Sequence, residues 1–261
     1  MKIFKIAISP CPNDIFIFGP WILGLTHDLK NFHSKFVFKD VEKLNNSAFK
    51  QQFDLIKVSA ITGLKLTSKY QILQSGGAFG IQDGPKLVSL PNTLPQHIKT
   101  IAVPGLNTTA YHLLKASWAQ PFKPVPMIFN EIPNAITQKI VDAGLLIHET
   151  ALIYLQKGFK LLLDLGKWWE KNTNGLPLPL GVILLHKKYL HIQKEVESKI
   201  QESLDIAYLK TQEIKPLLRT FAQEMEEETL NKHIKAYVNQ YSKKIQSDGE
   251  KALIKLKKIV G

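Results

Sequence analysis

The chain has a single cysteine, Cys11, among 261 residues, which excludes an internal disulfide framework and any multi-cysteine zinc site. No stretch reaches the 18 clean apolar residues of a membrane-spanning helix, so no membrane insertion is expected. The eight histidines show no ligand spacing, and His148-Glu149 lacks the second histidine of an H-E-x-x-H motif, so no metal is expected. The glycine-rich stretch Ser75–Pro85 has neither the G-x-G-x-x-G spacing of a dinucleotide fingerprint nor the pattern of a Walker loop. Its glycines instead allow a tight backbone path. No Arg-rich or aromatic-interleaved basic block accompanies the formal net charge of +12. The charge therefore reads as a solvated lysine surface, with an anionic small molecule as its natural partner and no nucleic acid expected.

What is present is an ordinary globular composition. Hydrophobic residues make up 44% and charged residues 21%, with a mean hydropathy of -0.07. That is enough for one large core or two modest ones. The apolar N-terminus resembles a secretion signal at first sight, with Lys2 and Lys5 ahead of it. Pro10, Pro12, Asn13 and Asp14 interrupt it and no A-x-A-like cleavage site follows, so Ile3–Ile8 reads as a first buried strand and the protein as cytoplasmic.

The most informative stretch is 141–183. Ala143-Gly144-Leu145-Leu146-Ile147 reads as a short buried strand, and His148 falls where it ends. Ligand-facing groups of open α/β sheets sit at the carboxyl ends of strands, and an imidazole there can take a proton near neutrality. From position alone, a structural histidine bonded to a nearby carbonyl remains the alternative. Glu149, the next residue, is expected to face away from His148.

The rest of the chain alternates strand and helix signals. Ile3–Ile8 runs into Ser9-Pro10-Cys11-Pro12-Asn13-Asp14, where Asn13 or Asp14 can cap a helix over Ile15–Leu25 and Ser9 sits where an anion would be met. A strand over Phe36–Asp40 and a helix over Asn46–Gln51 follow. A third strand ends on Lys57, Val58 and Ser59; a lysine inside an apolar run needs a counter-charge, from a structural carboxylate or a ligand. Leu87–Leu90 is a strand closed by Pro91-Asn92, a first crossing between lobes. Thr100–Val103, a Gly105 turn and a helix from Tyr111 bring Thr108, Thr109 and Ala110 to a helix N-terminus, suited to a carboxylate or phosphate or to plain capping. Met127-Ile128-Phe129 reads as another strand. Pro177-Leu178-Pro179-Leu180-Gly181 marks a second crossing, followed by a return strand over Val182–His186. From Ile192 the pattern is helical, its many charges read as solvated. The expected division is 1–90 for a first lobe, 91–180 for an inserted second lobe, and 181–261 for the return to the first.

Two α/β lobes joined by two crossings resemble the type II periplasmic-binding-protein-like fold, an α/β architecture with a ligand cleft between lobes. The motifs SPCPNDIFIF, DVEKLNNSAF, DLIKVSA, the GP at 84–85, PGLNTTA, AGLLIHE, DLGKWWE, LPLPLG and the late YVNQYS stand in one order along nearly the whole chain. Together they resemble the 1,4-dihydroxy-6-naphthoate synthase family of the futalosine route to menaquinone. The sequence departs from that pattern at Gln82, Ala151 and Leu152. The resemblance implies a cofactor-independent carbon–carbon lyase that converts cyclic dehypoxanthine futalosine to 1,4-dihydroxy-6-naphthoate and dihydroxyacetone. It implies His148 as the proton-accepting base, with Lys57, Val58 and Ser59 on the first lobe and Thr108, Thr109 and Ala110 on the second as substrate-binding segments. A non-catalytic solute-binding protein for a small carboxylate is the alternative in the same fold.

Overall fold

Short hydrophobic runs, most of them followed by a helix, build two sheets rather than one. The computed structural model describes residues 2–222 and 226–260. Its strands are β1 (Lys2–Ile8), β2 (Phe32–Phe38), β3 (Leu55–Ser59), β4 (Tyr70–Ile72), β5 (Ala78–Gly80), β6 (Lys86–Ser89), β7 (Thr100–Val103), β8 (Lys123–Pro126), β9 (Ala143–Leu146), β10 (Lys160–Asp164) and β11 (Leu178–His186). The first sheet has the order β2-β1-β3-β11-β4, with β5 also paired to β11; the second has the order β10-β6-β9-β7-β8.

In the first sheet β1 runs parallel to β2 and β3, so Ser9 and Ser59 follow or end parallel strands at the same edge. Strand β11 returns antiparallel to β3, placing Gly181 opposite Ser59 and Ile183 opposite Lys57. In the second sheet β7 is parallel to β9, so the Gly105 turn and His148 also leave at one edge. Ligand sites of α/β folds gather at such carboxyl edges. Here the two edges face each other.

The strand expected to close the first lobe belongs to the other sheet. Strand β6 pairs with β9 and β10, so the first crossing lies at 81–85, before it, and not at Pro91. The second crossing lies just before Leu178, because β11 already pairs with β5 from that residue. Burial does not stop at the crossings. One apolar cluster joins Ala7, Val58 and Val182 of the first sheet to Leu87, Ile101 and Leu145 of the second. The outer faces carry separate clusters, with Phe4, Ile6 and Leu185 under helices Pro12–Ile22 and Gln193–Leu209, and Val88, Ala102 and Leu146 on the other side.

Local differences from the sequence reading have simple causes. The strand expected at Met127–Phe129 is Lys123–Pro126, an edge strand where Pro124 and Pro126 need not donate to a further neighbour. The second helix starts at Val41 rather than Asn46, because the Asp40 carboxylate accepts from the Glu42 N–H and caps it. The first helix starts at Pro12, with Cys11 at its cap position and no side-chain cap. The Asn13 and Asp14 side chains are engaged elsewhere.

Candidate active site

Strand β1 delivers the first half of the site. The prolines after it hold helix Pro12–Ile22 so that Asp14, almost fully buried, turns back on Ser9. Asp14 Oδ2 accepts from the Ser9 hydroxyl at 2.6 Å and from the Ser9 N–H at 3.3 Å. Its other oxygen, Oδ1, accepts from Asn13 Nδ2 at 2.9 Å and from Lys57 Nζ at 2.9 Å. Lys57 also donates to the Gly76 carbonyl at 2.8 Å. The lysine in the apolar strand therefore has a structural carboxylate as its counter-charge. Two of the three ammonium hydrogens are engaged by these bonds.

Strand β3 ends at Ser59, whose N–H donates to Asn45 Oδ1 at 2.9 Å and whose Oγ accepts from Asn45 Nδ2 at 3.1 Å. The hydroxyl hydrogen stays available. Across the cleft the 104–110 loop docks on the first half through Asn107, which gives Glu42 a side-chain hydrogen bond of 2.8 Å and takes one of 2.9 Å from Thr62. Gly105 is required there: its φ is +140°, and any side chain would collide with Glu42.

Both threonines after that glycine have their hydroxyls engaged. Thr108 Oγ1 donates to the Gly105 carbonyl at 2.8 Å and caps helix Thr109–Ser117 by accepting from the Tyr111 N–H. Thr109 Oγ1 donates to the Leu180 carbonyl at 3.1 Å and accepts from the Ile61 N–H. The donors left on this side are therefore the Thr109 and Ala110 N–H groups, the first two of the helix. These are donors that an α-helix leaves without an internal partner.

His148 opens the short helix after β9 with φ at +56°, a left-handed conformation that costs a β-carbon-bearing residue roughly 1–2 kcal/mol. Its ring stands edge-on to Phe129, with centroids 4.7 Å apart, and Nε2 lies 3.3 Å from Cys11 Sγ. Burial pushes its pKa down to about 4; Asp14 raises it and Lys57 lowers it. The imidazole is neutral at pH 7. Burial, with the charge of Glu149 next, pushes the Cys11 thiol well up, so it faces His148 as a thiol.

All the residues singled out from sequence line one cleft: Ser9, Lys57, Val58, Ser59, Thr108, Thr109, Ala110 and His148. The cavity measures about 90 Å³ and also touches Asn13, Asp14, Leu180, Gly181 and Tyr237. Ser9 shapes the wall, its hydroxyl hydrogen spent on Asp14. Sequence reading missed the network roles of Asp14, Asn13 and Asn45. It also missed His233, which lies fully buried with Nε2 3.0 Å from Asn13 Oδ1. The signal for His233 was the spacing Leu230, His233, Ile234, Tyr237, an inward helix face inside a charged segment.

Residues 4–260 match the menaquinone-biosynthesis family. The chain belongs to that family. It is 35% identical over 257 residues to a 1,4-dihydroxy-6-naphthoate synthase from Thermus thermophilus, covering 98% of this chain and 93% of the relative. It is 32% identical to the Streptomyces coelicolor protein of the same name, covering 95% and 89%. A crystal structure of a protein from Archaeoglobus fulgidus superposes with a TM-score of 0.91 at 31% identity, covering 98% and 96%. The alkanesulfonate-binding protein of Xanthomonas axonopodis, solved with MOPS bound, superposes with a TM-score of 0.69 at 13% identity, covering 100% and 95%. That likeness shows the fold, a periplasmic-binding-protein-like architecture, around which this member of the menaquinone-biosynthesis family is built. Its named relatives are synthases, so the chain is an enzyme of menaquinone biosynthesis. Among the described residues no helix is long and apolar enough to cross a membrane.

Proposed function

We propose that the protein is a 1,4-dihydroxy-6-naphthoate synthase, a cofactor-independent lyase that releases dihydroxyacetone from cyclic dehypoxanthine futalosine. The observation that carries the reading is a neutral imidazole, His148, in a cleft that also holds unspent anion donors. The substrate carboxylate lies against the Ser59 hydroxyl and the Thr109 and Ala110 N–H groups. Helix N-termini and hydroxyls favour such an anion without needing a mobile cation. Lys57, its charge balanced by Asp14, keeps one N–H for a substrate oxygen rather than acting as the main anchor.

Carbon–carbon cleavage with aromatisation moves protons from the substrate to a base, and His148 is that base. Its low pKa makes it a modest base but leaves it fully unprotonated, and a positioned base contributes about 10²–10⁴-fold. The left-handed backbone and the Phe129 ring fix its orientation. Cys11 Sγ lies 3.3 Å from Nε2, so the thiol is the group a substrate proton donor displaces. The apolar walls from Val58, Leu44 and Leu180 exclude water from the reacting centre.

The test is to incubate the purified protein with cyclic dehypoxanthine futalosine in the presence of chelator and follow naphthoate absorbance together with dihydroxyacetone. Equal amounts of both products are expected. Tight binding without either product makes the protein a solute-binding relative instead. Turnover that requires an added metal or nucleotide overturns the cofactor-independent reading.

A further inference from the structure

One polar side chain in the cleft wall plays no part in the chemistry above. Tyr237 ends helix Glu227–Tyr237 and lines the same cavity as His148. The Ser9, Thr108 and Thr109 hydroxyls in that lining are spent on protein partners. The Tyr237 hydroxyl, by contrast, makes no hydrogen bond among the described residues. Nor is it sealed away: the enclosed, unpaired polar atoms are others, such as Trp118 Nε1 and His233 Nδ1. Tyr237 is only 5% exposed, so its hydroxyl opens onto the cavity that the residue lines. A phenol so deeply placed ordinarily has a partner.

The ring is held without help from that hydroxyl. It stands edge-on to the His233 ring, centroids 5.0 Å apart, and His233 in turn lies 6.0 Å from the His148 ring. The chain beyond it is tied to the first sheet around β5. Asn239 Nδ2 donates to the Phe79 carbonyl at 2.7 Å. The Ser242 hydroxyl donates to the Gly77 carbonyl at 2.8 Å and lies 3.3 Å from the Tyr237 carbonyl oxygen. Burial, then the charges of Asp83, Glu149 and Asp164, push the Tyr237 pKa above the ordinary phenol range, so the hydroxyl keeps its hydrogen. The same acids disfavour a further carboxylate at this point. An uncharged oxygen meets no such penalty.

We infer that the Tyr237 hydroxyl is a substrate-contacting donor, giving a hydrogen bond to an uncharged oxygen of the ligand whose carboxylate sits at the Thr109 and Ala110 N–H groups. The inference rests on the synthase reading and adds recognition of the part of the substrate away from its carboxylate. A donor fixed by a packed ring loses little freedom when the ligand arrives. It also discriminates, because an analogue without the matching oxygen leaves a buried hydroxyl unpaired. Two sources supply such an oxygen: the ring that becomes aromatic, and the three-carbon unit that leaves as dihydroxyacetone.

Tyr237→Phe keeps the ring and removes only the hydroxyl. Because that hydroxyl holds nothing in the fold, the melting temperature should stay within about 2 °C of wild type. With cyclic dehypoxanthine futalosine, kcat/KM should fall about tenfold, the effect of one lost hydrogen bond. Anaerobic titrations with 1,4-dihydroxy-6-naphthoate and with 2-naphthoate, which has the carboxylated rings without the hydroxyls, locate the oxygen. If it is on the ring, the variant binds the dihydroxy compound about tenfold more weakly and 2-naphthoate within about twofold of wild type. If it is on the three-carbon unit, both affinities hold and kcat/KM alone falls. Unchanged kcat/KM with unchanged affinities overturns the contact. So does an equal loss of affinity for both compounds, or a variant that melts well below wild type. A wild type that binds the dihydroxynaphthoate through this hydroxyl yet turns over no futalosine sinks the synthase reading and leaves the contact standing.

Discussion

The two walls of the cleft are built on opposite principles. On the first-sheet wall the charged groups are spent on one another: Asp14 takes hydrogen bonds from Ser9, Asn13 and Lys57, and Lys57 is also tied to the Gly76 carbonyl. On the second-sheet wall the side-chain hydroxyls are likewise spent, but two backbone N–H groups and an unprotonated imidazole are left over. One wall is a rigid, internally neutralised frame. The other holds the proton acceptor and two free backbone donors, while the frame keeps only the Ser59 hydroxyl and one Lys57 N–H. Reactivity and binding should therefore fail separately when the walls are mutated separately.

The largest effect is expected at His148. Asn tolerates the left-handed backbone there, so His148→Asn should keep the fold while removing the proton acceptor. Turnover should fall at least ~10²-fold, with substrate affinity changed by less than about tenfold. Near wild-type turnover in steady-state kinetics would falsify the base assignment.

Next in size is the frame itself. Asp14→Ala leaves Lys57 as a buried charge without its carboxylate and should cost about 3–5 kcal/mol, read as a lower denaturation midpoint at unchanged m-value. If the midpoint hardly moves, the frame is not the stabilising half of the comparison.

The two charges of the frame also act on the base in opposite directions, which gives a pH test. His148 titrates at about 4, so activity should hold flat from neutrality down and fall as pH drops through that value. Asp14 raises this pKa and Lys57 lowers it. Lys57→Met should therefore move the acid limb to higher pH, and Asp14→Asn should move it lower. Folding follows the same linkage. The unfolded imidazole binds its proton near ~6.5, so stability from this group is complete above that pH and is lost as pH falls toward about 4. An acid limb that ignores both substitutions would separate His148 from the frame and from the observed activity.

How much of this was legible in sequence depends on whether a residue acts through its strand position or through a partner. Strand ends carry their meaning locally: Ser59, Thr109 and His148 could be placed because a hydrophobic run stops beside them, and the cleft brings them together. Partners are different. Asp14 reads as a helix cap at short range, yet its carboxylate serves Ser9 behind it and Lys57 on another strand. His233 sits among lysines and glutamates, and its burial depends on a helix folding back over the start of the chain. The strand Lys86–Ser89 was visible as a strand, but nothing local says which sheet it joins. That choice is made by pairing with β9 and β10, which come over fifty residues later.

The smallest effect separates two neighbours that look alike in sequence. Thr108 and Thr109 stand side by side at a helix start, and by position alone both hydroxyls suit an anion. The Thr108 hydroxyl works within its own loop, bonding the Gly105 carbonyl and the Tyr111 N–H. The Thr109 hydroxyl reaches across to the first-sheet half, bonding the Leu180 carbonyl and the Ile61 N–H. Thr108→Ala removes a helix cap and should cost about 1 kcal/mol of stability. KM should stay within about twofold, since the Thr109 and Ala110 N–H groups keep their place. Thr109→Val keeps the shape but breaks the bonds between walls, so it should raise KM more than Thr108→Ala does, at a similar stability cost. Thermal melts and initial-rate kinetics on the two variants settle the matter. If Thr108→Ala proves the worse for KM, its hydroxyl leaves the cap to meet substrate, and the two walls are less distinct than their hydrogen bonds make them.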